Sequence, residues 1–277
     1  MLRAGPISVV RNRFVHVAVS PRARGLTVGI NMNPDGRCNF DCVYCEVDRR
    51  LPPHEAGLDV PVMILELERI LEMVLAGQLH ALPGFQSLPE DLQKLRHVAL
   101  TGDGEPTLCP HFTEVVKAIV HLRALGRFPF FGLVLISNAS GLDHAVVEAG
   151  LKLFTPSDEL WLKLDAGSAG RFERIARTSV PFTRIIDNIL RVARTRPVVI
   201  QSLFPMLDGN EPTAAEVNDY VARIRELVAG GARISLVQIY SAMRSASHPD
   251  CRHLPLRSLS RIAHVVRDGT GLPVEVY

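Results

Sequence analysis

The sequence predicts an α/β fold, a partial (β/α)6 TIM-like barrel with an N-terminal strand or hairpin extension. Three observations carry this expectation. Short apolar runs rich in β-branched residues recur at 26–32, 98–100, 132–136, 160–164, 198–203 and 234–240. Helical patterns alternate with them at 60–77, 112–125, 143–150, 182–194, 214–229 and 256–267. Strands that are apolar throughout and alternate with helices belong to a parallel sheet whose outer face is covered. The length of 277 residues is the third observation. A complete eight-stranded barrel takes about 250 residues, and here an N-terminal segment and long connections use part of the chain.

Taken in order, SVVRNRFVHVAV (8–19), followed by Pro21 and Gly25, reads as an extra strand or hairpin. Residues 1–25 are therefore assigned to the extension and 26–277 to the core domain. The first core strand runs into a loop containing three cysteines. An open Rossmann-type sheet, the alternative architecture, would carry its glycine fingerprint at that point. The stretch VPVMILELERILEMVLAG (60–77) is the most apolar helical segment, but Glu66, Glu68, Arg69 and Glu72 interrupt it. It reads as an amphipathic core helix rather than a membrane span, which needs about 20 apolar residues. The ending LPVEVY reads as a final strand.

Composition narrows the function classes. With 47% hydrophobic residues the chain can bury one large core. Its 31 Lys and Arg against 29 Asp and Glu argue against a generally basic nucleic-acid coat. Arginines crowd the first fifty residues, at Arg3, Arg11, Arg13, Arg22, Arg24, Arg37, Arg49 and Arg50. They read as a solvated face or as a rim that attracts phosphate or carboxylate. The opening residues hold no apolar core of signal-peptide length, so the expectation is a cytoplasmic protein without membrane attachment. An odd count of five cysteines argues against a disulfide framework.

Three of the cysteines lie in RCNFDCVYCEVDR (37–49), as Cys38, Cys42 and Cys45, spaced C-x3-C-x2-C. Structural zinc usually takes four protein ligands, and Cys109 and Cys251 are far away in sequence. A four-iron cluster normally takes four thiolates, so three would leave one iron open to something that is not protein. A zinc knuckle or three incidental thiols remain as alternatives, and the cluster fits better. One unit further on, LTGDGEPTL (100–108) supplies a glycine-rich turn with Gly102, Gly104 and the acceptor Glu105. Polar residues then end three strands: Asn138 in LISNAS, Lys163 and Asp165 in WLKLDAG, and Gln201 in VIQSLF. Lys163 and Asp165 are two apart and share a strand face. In parallel barrels such strand ends form the active site.

With these residues in place, the chain resembles the radical S-adenosylmethionine (SAM) superfamily. That superfamily carries C-x3-C-x2-C with an aromatic residue just before the last cysteine, the position of Tyr44. The resemblance implies that Cys38, Cys42 and Cys45 each hold one iron of a [4Fe–4S] cluster, that SAM chelates the open iron, and that Tyr44 lies near the adenine. The turn is similar to the superfamily's Gly-Gly-Glu motif for the SAM amino group. Gly104 and Glu105 match it, while Asp103 stands where the first glycine usually lies. By the same resemblance Asn138, Lys163, Asp165 and Gln201 are candidates for the SAM ribose and carboxylate. The implied activity is reductive cleavage of SAM to a 5′-deoxyadenosyl radical, which abstracts hydrogen from a small-molecule or nucleotide substrate. An electron donor such as flavodoxin or ferredoxin would be its partner.

The likeness extends to PRARGLTVGINMNPDGRCNFDCVYCEVDR, TGDGEPTL, ELWLKLDAG and GLPVEVY, which resemble a prokaryotic single-domain branch related to wyosine synthase. Wyosine synthase acts on tRNA and carries a second cluster on upstream cysteines. Here no cysteine precedes Cys38, and Glu46 stands where those enzymes typically have tryptophan. One cluster is expected, and a tRNA substrate is only weakly supported. An activating enzyme that installs a radical on a partner protein is the second function class, and a non-enzymatic binding module the third. The segments 46–59 and 78–96 are expected to cap the barrel mouth, which favours the small-molecule enzyme. Cys109 is expected to be a buried structural thiol and the SHPDCRH stretch, with His248, Cys251 and His253, a lid loop. Arg244 is a candidate substrate contact.

Overall fold

The computed structural model describes residues 9–53, 55–81, 84–242, 248, 249 and 251–277. The fold is α/β with mostly parallel strands, and the chain divides into two compact units.

The first unit takes in the chain up to Arg37, Pro53–Leu135 and Ala145–Asp158. It begins with β1 (Val9–Arg11), β2 (Val15–Ser20) and β3 (Gly25–Asn31). Next come α1 (Val60–Leu75), β4 (Leu95–Thr101), α2 (Phe112–Ala124), β5 (Gly132–Ser137) and α3 (Ala145–Leu151). The expected N-terminal extension is a hairpin: β1 pairs with β2 and β2 with β3, both antiparallel. The pairs β3–β4 and β4–β5 are parallel. Val28, Ile30, Val98, Leu100, Leu133 and Leu135 are fully buried along these strands. Helix α1 lies against β2 and β3. Asp59 caps its first turn by accepting from the Val62 N–H at 3.0 Å, an arrangement worth about 1 kcal/mol. Its buried Glu66 accepts the N–H groups of Arg13, Phe14 and Val15 at 3.1, 2.9 and 3.1 Å and so pins the hairpin to the helix.

A second buried carboxylate closes this unit. Asp158 accepts both arms of Arg123, at 2.6 and 3.1 Å, and the N–H groups of Leu133 and Thr155, both at 2.7 Å. Burial by itself would raise the Asp158 pKa. The bonds from Arg123, Leu133 and Thr155 outweigh it and hold the group below its ordinary 3.8.

The second unit takes in Cys38–Pro52, Ile136–His144 and Glu159–Tyr277. Its elements are β6 (Glu159–Lys163), α4 (Ala169–Ala176), α5 (Phe182–Thr195), β7 (Val198–Leu203) and β8 (Met206–Leu207). They continue with α6 (Ala214–Ala229), β9 (Ile234–Tyr240), β10 (Cys251–Arg252), α7 (Leu256–Thr270) and β11 (Val274–Val276). β6, β7, β9 and β11 are parallel neighbours in that order. β8 and β10 form a separate antiparallel ribbon. Gly167, in the turn after β6, has no room for a side chain: a Cβ there would come within 2.2 Å of the α6 backbone at Asp219 and Tyr220. Thr213 and Glu216 cap α6 reciprocally, which is the capping-box arrangement.

Two features depart from the sequence reading. The ribbon is too short to leave a pattern. Helix α4 has eight residues and buries only Phe172, Ile175 and Ala176, fewer than periodicity needs to stand out. Among the described residues, no helix is long and apolar enough to cross a membrane.

Asp158 has a depressed folded pKa, so its contribution is present above the ordinary carboxylate range and is lost as pH falls through the folded value. Asp158→Asn leaves Arg123 buried without its counter-charge and is expected to cost about 3–5 kcal/mol at pH 7. It should also flatten the loss of stability below pH 3.8. Urea unfolding at pH 7 and in the acid range measures both effects, and a variant indistinguishable from wild type at both would contradict the assignment.

Candidate functional site

The cysteine loop belongs to the second unit, and the residues between its cysteines are held one by one. Asn39 Oδ1 accepts from Asn138 Nδ2 at 3.1 Å, Asn39 Nδ2 donates to Ser140 Oγ at 2.9 Å, and Asn39 O accepts from Thr178 Oγ1 at 2.6 Å. Phe40 meets Phe172 of α4 edge-on at 5.6 Å. The N–H groups of Asp41 and Val43 donate to the carbonyls of Ala176 and Ile175, at 3.0 and 2.9 Å. These carbonyls are in the last turn of α4, where a helix has no internal partner for them. The short helix that sequence reasoning missed is therefore what the loop hangs on.

Cys38, Cys42 and Cys45 are partly buried reduced thiols. Cys38 Sγ accepts from the Phe40 N–H at 3.5 Å, and Arg49 reaches Cys45 Sγ at 4.0 Å. Burial pushes the Cys42 thiol up to about 12, while the Lys163 ammonium pulls it down. Among the described residues, no three His, Cys, Asp or Glu side chains converge as ligands of a single metal ion. A four-iron cluster offers each thiolate its own iron, so convergence on one point is not required. The donor set fits such a cluster: three thiols on one braced loop with cationic and N–H donors around them.

Beside the loop lies a trio in which Tyr44 is buried and Lys163 and Asp165 are half-buried. Tyr44 donates its hydroxyl to Asp165 Oδ2, and Asp165 Oδ1 accepts the Leu203 N–H at 2.7 Å. The Lys163 ammonium sits 5.0 Å from the centre of the Tyr44 ring. Burial raises the Asp165 carboxyl, opposed by Lys163, the Tyr44 hydroxyl and the Leu203 N–H. Burial, reinforced by the Asp165 charge, also holds Tyr44 well above its ordinary value, so the phenol keeps its proton.

The glycine turn belongs to the first unit. Gly104 lies so near the strand-to-loop connection that a Cβ would fall 1.9 Å from the Arg37 carbonyl oxygen. The Glu105 N–H donates to that same oxygen at 3.0 Å. Arg37 is the residue directly before Cys38. Glu105 is 3% exposed, and its Oε1 accepts from the Thr107 N–H and hydroxyl at 3.1 and 2.7 Å. A Cβ on Gly102 would meet Asn33 Oδ1 at 2.8 Å, and this buried oxygen has no hydrogen-bond partner among the described residues. An orphaned acceptor over a glycine turn, with a buried carboxylate next to it, fits an ammonium group such as that of SAM.

The other expected site residues take defined places. Asp103 accepts from Asn31 Nδ2 at 2.7 Å. Asn138 braces the cysteine loop through Asn39, and its Oδ1 accepts the Ser140 N–H. Gln201 is buried and donates to Gln238 at 2.8 Å. Asn31, Asn33, Asn39 and Thr178 were not expected, because nothing local in the sequence marks a bond to a residue many positions away. Burial pushes the Cys109 thiol up to about 11. Cys251 packs in an apolar cluster with Val43, Tyr44, Leu203 and Leu207, against which Cys42 also rests. Arg3 and Arg244 lie outside the described residues.

No protein-family model matches the chain. It is 23% identical over 271 residues to a UPF0026 protein of Helicobacter pylori, covering 91% of this chain and 79% of that protein. It is 26% identical over 173 residues to an S-adenosyl-L-methionine-dependent tRNA 4-demethylwyosine synthase of Methanocaldococcus jannaschii, covering 57% of this chain. That match spans 50% of the synthase's length. Among solved structures it is similar to a radical SAM methyltransferase from Sphaerobacter thermophilus, with TM-score 0.67 and 15% identity over 95% of this chain and 68% of that one. It is also similar to TYW1 with a lysine–pyruvate adduct bound, with TM-score 0.56 and 17% identity over 94% of this chain and 85% of that one. The expected fold is thus the one these radical SAM structures share, a partial TIM-like barrel.

Gly104→Ala is expected to displace Arg37, and with it Cys38, because the clash at 1.9 Å is with backbone. Iron bound per chain after anaerobic reconstitution should fall well below wild type. Gly57→Ala, with nothing within 4 Å, should keep wild-type iron. Equal iron in the two variants would contradict the proposed need for close approach.

Proposed function

We propose that this chain is a radical SAM iron–sulfur enzyme acting on a small-molecule or nucleotide substrate. The observation that carries the reading is the bracing of Asn39, Phe40, Asp41 and Val43, which fixes three cysteines on a loop with no regular structure. In this reading Cys38, Cys42 and Cys45 hold one [4Fe–4S] cluster, for which a flavodoxin- or ferredoxin-type protein is the electron donor. The bound cluster and SAM together supply a one-electron cleavage of the S–C5′ bond that yields methionine and a 5′-deoxyadenosyl radical.

The chain's own residues then have these roles. Glu105, with the Gly102-Asp103-Gly104 backbone and Asn33 Oδ1, accepts hydrogen bonds from the SAM ammonium. Lys163 neutralises carboxylate or cluster charge beside Cys42. Tyr44 borders the adenine, with its ring orientation fixed by Asp165. Asn138 and Gln201 act through the residues they hold, Asn39 and Gln238. The core domain over 26–277 and a cytoplasmic location belong to the same proposal. Similarity to a tRNA 4-demethylwyosine synthase over 57% of the chain supports tRNA modification as a second reading.

The anaerobically reconstituted, dithionite-reduced protein is expected to release 5′-deoxyadenosine and methionine from SAM, and Cys42→Ala should abolish the release. Chromatography of the quenched mixture checks this. A protein with a verified cluster and bound SAM that releases no 5′-deoxyadenosine, even with cell extract as a substrate source, would contradict the reading. Glu105→Gln is expected to keep its iron and to bind SAM at least about tenfold more weakly, since hydrogen bonds to charged groups are worth roughly 1.5–3 kcal/mol. Unchanged SAM affinity would leave the turn with a structural role only.

A further inference from the structure

Left-handed backbone is costly for any residue with a Cβ and persists only where the surroundings hold it. Among the described residues, four positions other than glycine adopt it: Arg24, Ala139, Arg177 and Asp208. Two of these four adjoin the side chains that grip Asn39. Ala139, at φ +67°, lies between Asn138 and Ser140, and Arg177, at φ +48°, directly precedes Thr178. Arg177 ends α4, where a left-handed residue is usually glycine or asparagine. All of these Asn39 partners belong to the second unit.

The turn at Ala139 is held from α5. Ala139, Ser140 and Asn188 are 0, 2 and 4% exposed. Asn188 Nδ2 reaches the Ala139 carbonyl at 2.9 Å, the Ser140 carbonyl at 3.3 Å and Asp143 Oδ1 at 3.2 Å. One helical turn earlier, Arg184 Nε donates to the Ser140 carbonyl at 3.2 Å, and Arg184 Nη2 pairs with Asp143 Oδ2 at 3.0 Å. On the strand side, Ser137 Oγ accepts the Ala139 N–H at 2.9 Å. In this conformation Asn138 and Ser140 both reach the Asn39 amide, at 3.1 and 2.9 Å. Asn39 directly follows Cys38. Relaxation of Ala139 into ordinary backbone reorients Ser140 relative to Asn138 and loosens their joint hold on that amide.

We propose that Asn188 is a positioning residue for the iron–sulfur cluster. It holds Ala139 in its strained turn, the turn holds Asn39, and Asn39 places Cys38. This rests on the reading that Cys38 is a cluster ligand and does not require that SAM be cleaved. Arg184 supports the same turn at Ser140 and Asp143.

The test measures the rate at which the full cluster-loaded chain gives up iron to a ferrous chelator under anaerobic conditions. Asn188→Leu keeps the side-chain size and removes the donor. It should release iron at least about tenfold faster than wild type, because the left-handed Ala139 is then unsupported. Ala139→Gly adopts the same conformation without strain and should by itself release iron no faster than wild type. Added to Asn188→Leu, it should bring the rate back to within about threefold of wild type, a coupling that independent sites do not show. A side chain that only fills the core would not be rescued from position 139. Ser140→Ala removes one hydroxyl of the grip and keeps the test open should Asn188→Leu not fold; it should speed release about threefold. The proposal is overturned if Asn188→Leu retains iron as wild type does, if Ala139→Gly fails to rescue it, or if Ser140→Ala matches wild type. Each of those results leaves the radical SAM reading standing. A chain whose iron release follows the expected order yet cleaves no SAM keeps the role of Asn188 and loses the radical reading.

Discussion

The arrangement depends first on how a loop without regular structure is kept in one conformation. Backbone N–H groups in such a loop need partners, and the last turn of a helix has carbonyls that need the same. Here the two requirements answer each other: Asp41 and Val43 donate to Ala176 and Ile175. Packing of Phe40 on Phe172, and of Phe172 on Phe182 at 5.0 Å, sets the distance between loop and helix. Asn39 is tied separately by Asn138, Ser140 and Thr178. The cysteines occupy the positions left between these anchors, so their spacing in sequence becomes a spacing in space.

Electrostatics decides what those positions suit. An isolated thiolate at Cys42 would be costly: the thiol is pushed up to about 12, chiefly by burial. Lys163 offsets part of that cost, and the same ammonium lies over the Tyr44 ring and opposes the raised carboxyl of Asp165. Uncompensated buried charge is expensive. In the proposed function, the ammonium that faces the Asp165 carboxyl also balances charge on the cysteines once they are held as thiolates. Metal–thiolate ligation holds them so, because the ligand is the deprotonated sulfur.

The sequence expresses these features unevenly. Strands such as Val198–Leu203 and helices such as Ala214–Ala229 follow from local apolar periodicity and lie where the pattern puts them. β4 begins at Leu95, three residues before its apolar core, because Arg96 and His97 sit on the strand's polar start. The cysteine spacing is legible because its chemistry is local. Gly104 is legible as a turn glycine, but its close approach to the Arg37 carbonyl depends on a residue 67 positions earlier (104 − 37). Helix α4, Asn39 and Asn31 act through contacts of that kind, and no short window of sequence encodes them.

Electron–nuclear double resonance on the reduced protein with SAM labelled with ¹⁵N at its amino group tests the central claim most directly. The claim is that three braced thiolates leave one iron for a non-protein ligand. The account predicts a ¹⁵N hyperfine coupling on the cluster signal, present in wild type and absent without SAM. A cluster signal that SAM leaves unchanged, with no ¹⁵N coupling although SAM is bound, would contradict it.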